Sequence, residues 1–352
     1  MLLNLTKLFL MKNKILVTGG SGFIGTNFIN YLLKKNYDVI NLDYQSYSSV
    51  PEKFIDYSRK KNYLLIKKNI KNTKAVQNIF KKNNITGVFN FASQSHVDRS
   101  INNSKNFILE NVSSSLAFID LISFLSKKKL FTGKFINIST DEVYGTINRV
   151  PSDENFPMLP NSPYAASKAC VDLFLRVYNK TFGMPFINIR CCNNYGPYQF
   201  TEKFIPTIIL SLLENKKIPV YGNGKNRREW IFVLDFCRAI EKIYKNGKIN
   251  NTYNVGSENR ISNLFLIKKI KKIFKSKFKI SIKKNYFQYV NDRPGHDLSY
   301  KINSNKIQKE LNWQAKVDLD KGLENTISWY IKNKKWIQYT KQKYKGERLG
   351  FK

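Results

Sequence analysis

Short runs of apolar residues alternate with amphipathic segments along the first half of the chain. The runs have the length and β-branched content of buried strands, and helix-like apolar spacing follows them. The predicted strands are Lys14–Thr18, Val39–Asp43, Tyr63–Lys67, Gly87–Phe91, Gly133–Ile138 and Pro185–Arg190. Four helices are predicted. The first runs from the glycine turn after Thr18 to about Lys35, and the others lie near Thr73–Lys82, near Ser104–Leu125 and from Tyr164 to about Phe182. This alternation predicts an α/β fold with a doubly wound parallel sheet.

The pattern changes at Cys191, where polar, turn-rich stretches separate shorter elements. A helix is predicted near Phe204–Glu214 and a strand over Trp230–Val233. We therefore expect a doubly wound domain over residues 11–190, to which the chain returns around 225–262. A smaller C-terminal α/β domain, mainly residues 191–340, and a basic tail, residues 341–352, follow. The chain from Lys334 onward is expected to be exposed.

Composition narrows the class of protein. The 352 residues suffice for a sizeable core, and 60 basic against 25 acidic residues give a formal charge of +35. The lysines are scattered among Asn and Ile rather than grouped in a recognition motif. Background residue usage therefore explains the charge better than nucleic-acid binding does, although anionic substrates would benefit from it.

The cysteines and the chain start bear on the compartment. Cys170, Cys191, Cys192 and Cys237 form no Cys-x-x-Cys pair, so neither a metal site nor a disulfide framework is indicated, and a reduced cytoplasm is expected. No apolar run reaches membrane-spanning length, so we expect no membrane partner. The apolar first ten residues are too short for a signal peptide, and Met11 is a candidate functional start.

A glycine-rich turn joins the first predicted strand to the first helix. Gly19, Gly22 and Gly25 permit a tight turn and let the backbone approach a pyrophosphate, while the helix N-terminus offers N–H groups to the anion. Asp43 ends the second strand about twenty residues later, where a carboxylate binds ribose hydroxyls and repels a 2′-phosphate. These signals predict NAD rather than NADP. The alternatives are an ordinary glycine turn and a solvated strand-end acid.

Candidate catalytic residues follow the Gly133–Ile138 strand. Thr140, Asp141 and Glu142 come first, and adjacent carboxylates at a strand end are costly unless water or a substrate meets them. Tyr164 and Lys168 are spaced to share one helix face. A nearby ammonium lowers a tyrosine pKa from about 10, which makes a base for an alcohol proton. Taken alone, this set could also be a surface acid pair and a chance Tyr/Lys pair.

Polar turns in the second half carry further candidates. Asn193–Phe200 is polar, and Gly222–Arg228 and Asn291–Asp297 are basic. Arginines on turns that face a cleft suit a diphosphate, because a guanidinium binds oxygens in pairs. Each turn taken alone could be a solvated loop. His96, after the fourth strand, is explained equally well by a structural role and by a ligand contact.

Together, the glycine turn, the Thr140-Asp141-Glu142 run and the Tyr164/Lys168 pair resemble the extended short-chain dehydrogenase/reductases, which have a Rossmann sheet and a smaller substrate domain. More narrowly, the chain is similar to the dTDP-glucose 4,6-dehydratase family over roughly residues 12–336. The segments that carry the narrower similarity are Ser139–Gly145, Asn193–Phe200, Arg228 and Asp292–Asp297.

The resemblance implies a role for each matching position. The implied catalytic residues are Thr140, Asp141, Glu142, Tyr164 and Lys168. The implied NAD positions are Gly19, Gly22, Phe23, Ile24, Gly25, Asp43, Asn69, Ile70, Ala92, Tyr164, Lys168 and Asn194. The implied nucleotide-sugar positions are Ser95, Thr140, Asn193, Lys203, Arg228, Asn263, Arg293 and His296. No metal is implied, and the helices Ser104–Leu125 and Tyr164–Phe182 are candidates for the four-helix bundle of a homodimer.

Several positions depart from the usual residues of the family. They are Asn69 for an Asp, Ser93-Gln94 for Ala-Glu, Glu110 for a Thr, Thr201 for a Pro, and Arg260 for an acid. The implied catalytic set is intact. The departures therefore bear on nucleotide preference and affinity more than on the type of reaction.

The implied reaction is a redox-neutral dehydration of a nucleoside-diphosphate glucose to a 4-keto-6-deoxy sugar. Tyr164 would take the C4 hydroxyl proton while the C4 hydride passes to NAD, Glu142 would remove the C5 proton, and Asp141 would protonate the departing C6 hydroxyl before the hydride returns to C6. The expected substrate is dTDP-glucose, with UDP-glucose as the alternative, because the two bases differ by one methyl group.

Two other functions stay open at this point. A 4-epimerase or decarboxylase of the same superfamily needs no acid at C6, so Asp141 argues against both. A non-catalytic binder of nucleotide sugars or nucleic acid would have no need of the full catalytic set.

Overall fold

The computed structural model describes residues 13–147, 149–347 and 349–350; Met11 and the segment before it lie outside these ranges. The strands are β1 (Asn13–Thr18), β2 (Asp38–Leu42), β3 (Tyr63–Ile66), β4 (Asn84–Asn90), β5 (Lys134–Thr140), β6 (Ile187–Cys191), β7 (Asn193–Tyr195), β8 (Ile218–Tyr221), β9 (Arg227–Phe232), β10 (Asn251–Val255), β11 (Arg260–Ser262) and β12 (Phe287–Val290). The α-helices are Phe23–Lys34, Thr73–Lys82, Val97–Asn102, Ser104–Phe107, Ser114–Lys127, Pro163–Phe182, Phe204–Leu213, Val233–Asn246, Asn263–Phe278, Asn305–Leu311, Leu319–Lys332 and Lys334–Lys343.

A seven-stranded parallel sheet organises the molecule. Its strand order is β10-β6-β5-β4-β1-β2-β3, and every neighbouring pair is parallel. Alternate residues of β1 enter the cores on its two faces: Val17 belongs to the same core cluster as Phe28, and Leu16 to the same cluster as Phe118. Strands buried on both faces read as continuous apolar runs, which is why the sequence predicted them. The doubly wound α/β fold is confirmed.

The order of the strands places a ligand crevice. Chain order reverses between β1 and β4, so the helices that follow these two strands lie on opposite faces and leave a gap at their carboxyl ends. The glycine turn follows β1, Asp43 follows β2, the Ala92–Ser95 segment follows β4, and Thr140 ends β5. The fold therefore brings the predicted cofactor and catalytic segments to one edge of the sheet.

Smaller sheets flank this edge. One has the order β11-β9-β7 and another pairs β12 with β8, whereas β10 returns to the large sheet beside β6. The strand expected over Trp230–Val233 needs a correction, because β9 starts at Arg227 and ends at Phe232, and Val233 begins a helix. The division of residues 11–190 and 191–340 into two domains stays a prediction.

The expectation of an exposed chain after Lys334 holds for most of the lysines but is wrong for Trp336 and Thr340. Residues Lys334–Lys343 form a helix that buries Trp336, whose side chain is 1% exposed. The Trp336 ring packs edge-on against Phe54, and it also contacts Tyr339. An aromatic residue of this size anchors the end of the chain to the body of the protein.

The expectation that no segment reaches membrane-spanning length also needs a correction. The continuous helical stretch Ser104–Lys127, which contains a π-helical turn at Ile108–Ser113, is long and apolar enough to cross a membrane by length and composition. It lies against the sheet through buried residues that include Phe118 and Ile122. The core helix of a folded domain has the same composition, because one of its faces is buried in protein.

Candidate active site

The glycine turn after β1 forms a close-packed cradle. Gly19 has a φ of +65°, and a Cβ atom there would lie 2.6 Å from the backbone nitrogen of Ala92. A Cβ at Gly25 would lie 2.6 Å from the carbonyl oxygen of Gly19. Gly22 caps the helix that begins with Phe23 and Ile24 and has no side chain to occupy the N–H groups of the first turn. The turn therefore fits a bound pyrophosphate.

Asp43 lies beside this cradle in a fixed orientation. One of its carboxylate oxygens accepts a hydrogen bond from the backbone N–H of Ser21 at 2.9 Å, and the other accepts from that of Gln45 at 2.6 Å. Burial raises the pKa of Asp43, and these backbone hydrogen bonds oppose the rise. An acceptor held in this way suits ribose hydroxyls.

Two adjoining cavities collect the predicted site residues. All of the predicted cofactor positions and Thr140, Asp141 and Glu142 line the first cavity. The second cavity is lined by the remaining predicted substrate positions: Ser95, Asn193, Lys203, Arg228, Asn263, Arg293 and His296. Glu142 and Asn193 line both cavities. The structure thus gathers the whole predicted set around one continuous cleft.

The end of β5 arranges the catalytic candidates. A short 3₁₀ turn, Asp141–Tyr144, follows Thr140, whose hydroxyl oxygen accepts a hydrogen bond from the Glu142 N–H at 3.2 Å. Thr140 also hydrogen-bonds the Tyr164 side chain. The Lys168 ammonium donates to the carbonyl oxygen of Ile138 at 2.7 Å. The β5 strand therefore fixes both members of the Tyr164/Lys168 pair.

The expected low pKa of Tyr164 is wrong for the protein groups considered alone. Burial raises the pKa of Tyr164 well above its usual value, the Glu142 carboxylate adds to the rise, and the Thr140 hydrogen bond opposes it. Burial also lowers the pKa of Lys168. The sequence shows the spacing of the pair, but the desolvation that dominates its pKa values depends on how deeply the fold buries it.

The two carboxyl groups have different electrostatic surroundings. Burial raises the pKa of Asp141 well above its usual value, and the Glu142 and Glu229 carboxylates add to the rise against Arg228. Burial raises the pKa of Glu142 too, but there Arg293 and Arg228 both oppose the rise. The surrounding cations therefore favour the carboxylate form more strongly at Glu142 than at Asp141.

Several buried polar atoms at the cleft have no hydrogen-bond partner within the described part of the chain. They are Asp141 Oδ2, Asn193 Oδ1, Asn194 Oδ1 and Gln199 Oε1. All four residues line the first cavity. Buried polar groups are normally paired, so this cluster fits a ligand that supplies the missing partners.

Cationic and aromatic groups form the far wall of the second cavity. The Arg228 guanidinium lies over the ring of Tyr300, 4.2 Å from its centre, and donates to the carbonyl oxygen of Asp297 at 2.8 Å. The Tyr300 hydroxyl donates to the Asp297 carboxylate at 2.6 Å and lies 3.4 Å from the Glu142 carboxylate. Tyr300, which links Arg228 to Glu142, could not be predicted as a site residue because it lies beyond the basic turn Asn291–Asp297 and belongs to no motif.

Arg293, Lys203 and the histidines complete this wall. Arg293 pairs with Asp98 at 2.6 Å, and the Lys203 ammonium donates to the carbonyl oxygen of Ser95 at 2.6 Å. Burial and the nearby Arg293 and Arg228 lower the pKa of His296 to about 4. His96 caps the helix Val97–Asn102, where its Nδ1 accepts from the Arg99 N–H at 3.3 Å, and it also lines the second cavity.

Comparisons with known proteins point to one group. The sequence profile of the GDP-mannose 4,6 dehydratase family matches residues 16–326. The dTDP-glucose 4,6-dehydratase of Xanthomonas campestris pv. campestris is 36% identical over 344 residues, which cover 95% of this chain and 98% of the relative. Two solved structures share the fold. The dTDP-glucose 4,6-dehydratase of Bacillus anthracis in complex with NAD has a TM-score of 0.83 at 35% identity, covering 92% of this chain and 98% of that one. The dTDP-glucose 4,6-dehydratase DesIV of Streptomyces venezuelae, with NAD and TYD bound, has a TM-score of 0.84 at 34% identity. The match covers 92% of this chain and 98% of that one.

Proposed function

This chain belongs to the GDP-mannose 4,6 dehydratase family, and on that premise we propose that it dehydrates dTDP-glucose to the 4-keto-6-deoxy sugar with NAD as its cofactor. Full-length relatives and NAD-bound neighbours of the same activity support the proposal. The observation that carries it is the placement of two adjacent carboxyl groups, Asp141 and Glu142, in different electrostatic surroundings at the end of β5. An elimination needs both an acid and a base, and enzymes obtain them by giving like groups unlike surroundings.

Each catalytic side chain has a distinct task in this proposal. Tyr164 takes the proton of the C4 hydroxyl, with Thr140 hydrogen-bonded to the same oxygen. Glu142 removes the C5 proton, which the neighbouring C4 ketone makes acidic. Asp141, whose pKa is raised by burial, gives a proton to the departing C6 hydroxyl. Lys168, one helical turn from Tyr164, is proposed to favour loss of the phenol proton when it is charged.

The residues around the first cavity fit NAD. The Gly19/Gly22/Gly25 cradle would hold the pyrophosphate, Asp43 the adenosine ribose, and Asn194, which has an unpartnered oxygen, the nicotinamide end. When bound, NAD supplies a hydride acceptor at C4 and a donor at C6, together with a positive charge near Tyr164. The residues at the end of β5 would hold this cofactor in the first cavity.

The second cavity suits the nucleoside diphosphate. Arg228, Lys203 and Arg293 are cations held by protein contacts at its wall. Preorganised cations bind a diphosphate without a large cost in side-chain ordering. Asn193 and Ser95, at the junction of the cavities, and Asn263 and His296, in the second, are proposed to position the nucleotide sugar.

We further propose that two copies pair through a four-helix bundle. The helical stretch Ser104–Lys127 exposes Ile108, Leu109 and Phe124, and the helix Pro163–Phe182 exposes Leu173 and Val177, each about half of its surface. The two helices pack side by side. An exposed apolar face shared by adjacent helices marks an interface. Burial of this face in a dimer would account for the apolar composition of Ser104–Lys127.

A cytoplasmic location is also part of the proposal. The four cysteines are unbridged, and Cys191 and Cys192 are buried beside the catalytic strand. Thiols persist in this state in a reducing compartment.

The test of the proposed function is incubation of the purified protein with dTDP-glucose and, separately, with UDP-glucose, followed by identification of the products by mass and NMR. A product one water lighter than dTDP-glucose, with a C6 methyl group, is expected. Formation of the C4 epimer without loss of water would contradict the proposal. A faster reaction with UDP-glucose would keep the reaction but change the nucleotide.

A further inference from the structure

The first cavity continues past Asp43 to the edge of the sheet. The catalytic residues stand at the end of β5, Asp43 follows β2, and β3 is the edge strand beyond it. Asn69 and Ile70, which follow β3, line the same cavity. A dinucleotide whose nicotinamide lies at Tyr164 and whose adenosine ribose lies at Asp43 therefore places its adenine beside Asn69.

Glu110 faces this end of the cavity from the opposite side. It lies in the π-helical turn Ile108–Ser113, is half-buried, and lines the cavity together with Asn69. The Asn69 amide donates to the Glu110 carboxylate at 3.5 Å, while the Asn69 carbonyl oxygen accepts from the Lys71 N–H at 3.0 Å. The side-chain oxygen of Asn69 is thus used by the backbone, and its amide N–H points to Glu110. Glu110 therefore provides the hydrogen-bond acceptor at this end of the cavity.

We propose that the Glu110 carboxylate accepts a hydrogen bond from the 6-amino group of the cofactor's adenine and is the residue that selects adenine at this site. The proposal rests on the proposed use of NAD. An ionised carboxylate only accepts hydrogen bonds, so it favours an amino group and disfavours a carbonyl oxygen at the same position of the base. Asn69 on the facing wall carries no charge, so the negative charge of this residue pair lies on Glu110.

The test compares NAD with nicotinamide hypoxanthine dinucleotide, in which an oxo group replaces the 6-amino group. The purified protein with its bound nucleotide is equilibrated with mixtures of the two compounds, and the bound nucleotides are released and quantified by mass spectrometry. Their ratio gives the relative affinity directly. The variants are Glu110→Gln and, as a matched control, Glu324→Gln, which replaces a half-exposed carboxylate outside both cavities.

The unmodified protein and Glu324→Gln should retain NAD in preference to the hypoxanthine compound. In Glu110→Gln this preference should fall roughly 10- to 100-fold, the worth of a hydrogen bond to a charged group, because an amide can donate to the oxo group. An unchanged preference in Glu110→Gln, with NAD still bound, would overturn the inference and leave the proposed function standing. Failure of the unmodified protein to hold either nucleotide would instead contradict the proposed function.

A second pair of variants decides the case if Glu110→Gln does not fold. Glu110→Thr should lose the preference for NAD, and the double variant Asn69→Asp/Glu110→Thr should regain it, since the carboxylate returns from the opposite wall. Equal preferences in the single and double variants, with matching thermal midpoints, would refute the assignment of base selection to this pair.

Discussion

Replacing Asp141 by Asn should stop the reaction after its first two steps. The amide keeps the shape of the side chain and its 3.4 Å contact with the Thr140 hydroxyl, but it carries no acidic proton. The hydrogen bond between Thr140 and Tyr164 and the anchoring of Lys168 to Ile138 do not involve Asp141. Proton removal from the C4 hydroxyl and from C5 should therefore survive, and departure of the C6 hydroxyl should slow.

The size of the effect follows from the value of a positioned acid. General acid catalysis usually contributes about 10²- to 10⁴-fold, which corresponds to roughly 2.7–5.4 kcal/mol of barrier at about 1.36 kcal/mol per tenfold. The 3% exposure of Asp141 leaves little room for a water molecule to replace the lost proton donor. We therefore expect the overall turnover of Asp141→Asn to fall by an amount in this range.

The assay mixes each variant with dTDP-glucose in deuterated water. Asp141→Asn should accumulate the absorbance of the reduced cofactor and should exchange the C5 hydrogen of recovered sugar for deuterium. Glu142→Gln should give the absorbance without the exchange, because the C5 base is gone. Tyr164→Phe should give little of either, since it lacks the first proton acceptor.

One outcome would refute the assignment of Asp141 as the acid. If Asp141→Asn binds the substrate normally but shows neither reduced cofactor nor exchange at C5, Asp141 positions the sugar for the first step. Thermal unfolding across pH provides the folding control. The pKa of Asp141 is raised in the folded state, so folding stability falls as pH rises from the unfolded pKa near 3.8 toward the folded one. Asp141→Asn should remove that part of the decline.

Three other changes test separate parts of the molecule. Arg228→Ala should raise KM for dTDP-glucose much more than it lowers kcat, because a diphosphate contact binds ground state and transition state alike; steady-state kinetics would show a collapse of kcat instead if Arg228 acts at the chemistry. Burial alone would raise the pKa of Glu241, but hydrogen bonds led by that from Lys245 lower it to about 2. Acid unfolding should therefore show about 1–2 kcal/mol of stability, after screening, that is present above pH 4.5, is lost as pH falls toward 2 and is missing in Glu241→Gln. Leu173→Asp should yield monomers in sedimentation velocity, whereas Leu64→Asp, a similarly exposed leucine on β3, should not; unchanged dimers in Leu173→Asp would refute the bundle.

The sheet and its crevice could be predicted from the sequence because their signals are local. Ile15–Val17 within the first strand is a continuous apolar run, which is typical of a parallel strand buried on both faces. The turn after this strand contains glycines, which are required where two backbone segments approach each other closely, as Gly19 and Ala92 do. The helix Pro163–Phe182 begins at a proline and ends before Gly183, so both of its limits can be predicted from the local sequence.

The features that the sequence did not reveal depend on long-range contacts. The raised pKa of Tyr164 comes from burial and from Glu142, which is distant in sequence. Tyr300 reaches Glu142 from a loop on the other side of the cleft. Trp336 is buried although its neighbours are lysines, because one face of a short basic helix covers the Phe54 region. Amphipathic pattern alone does not identify the partner of such a face.

The most direct test of the central claim follows a single atom through the reaction. The protein is incubated with dTDP-glucose carrying deuterium at C4, and the product is examined by NMR and mass. The redox-neutral mechanism predicts that the deuterium leaves C4 and appears in the C6 methyl group of the 4-keto-6-deoxy sugar, with no net change in the cofactor. Deuterium that remains at C4 of an isomerised sugar, or that is found in released reduced cofactor, would contradict the account.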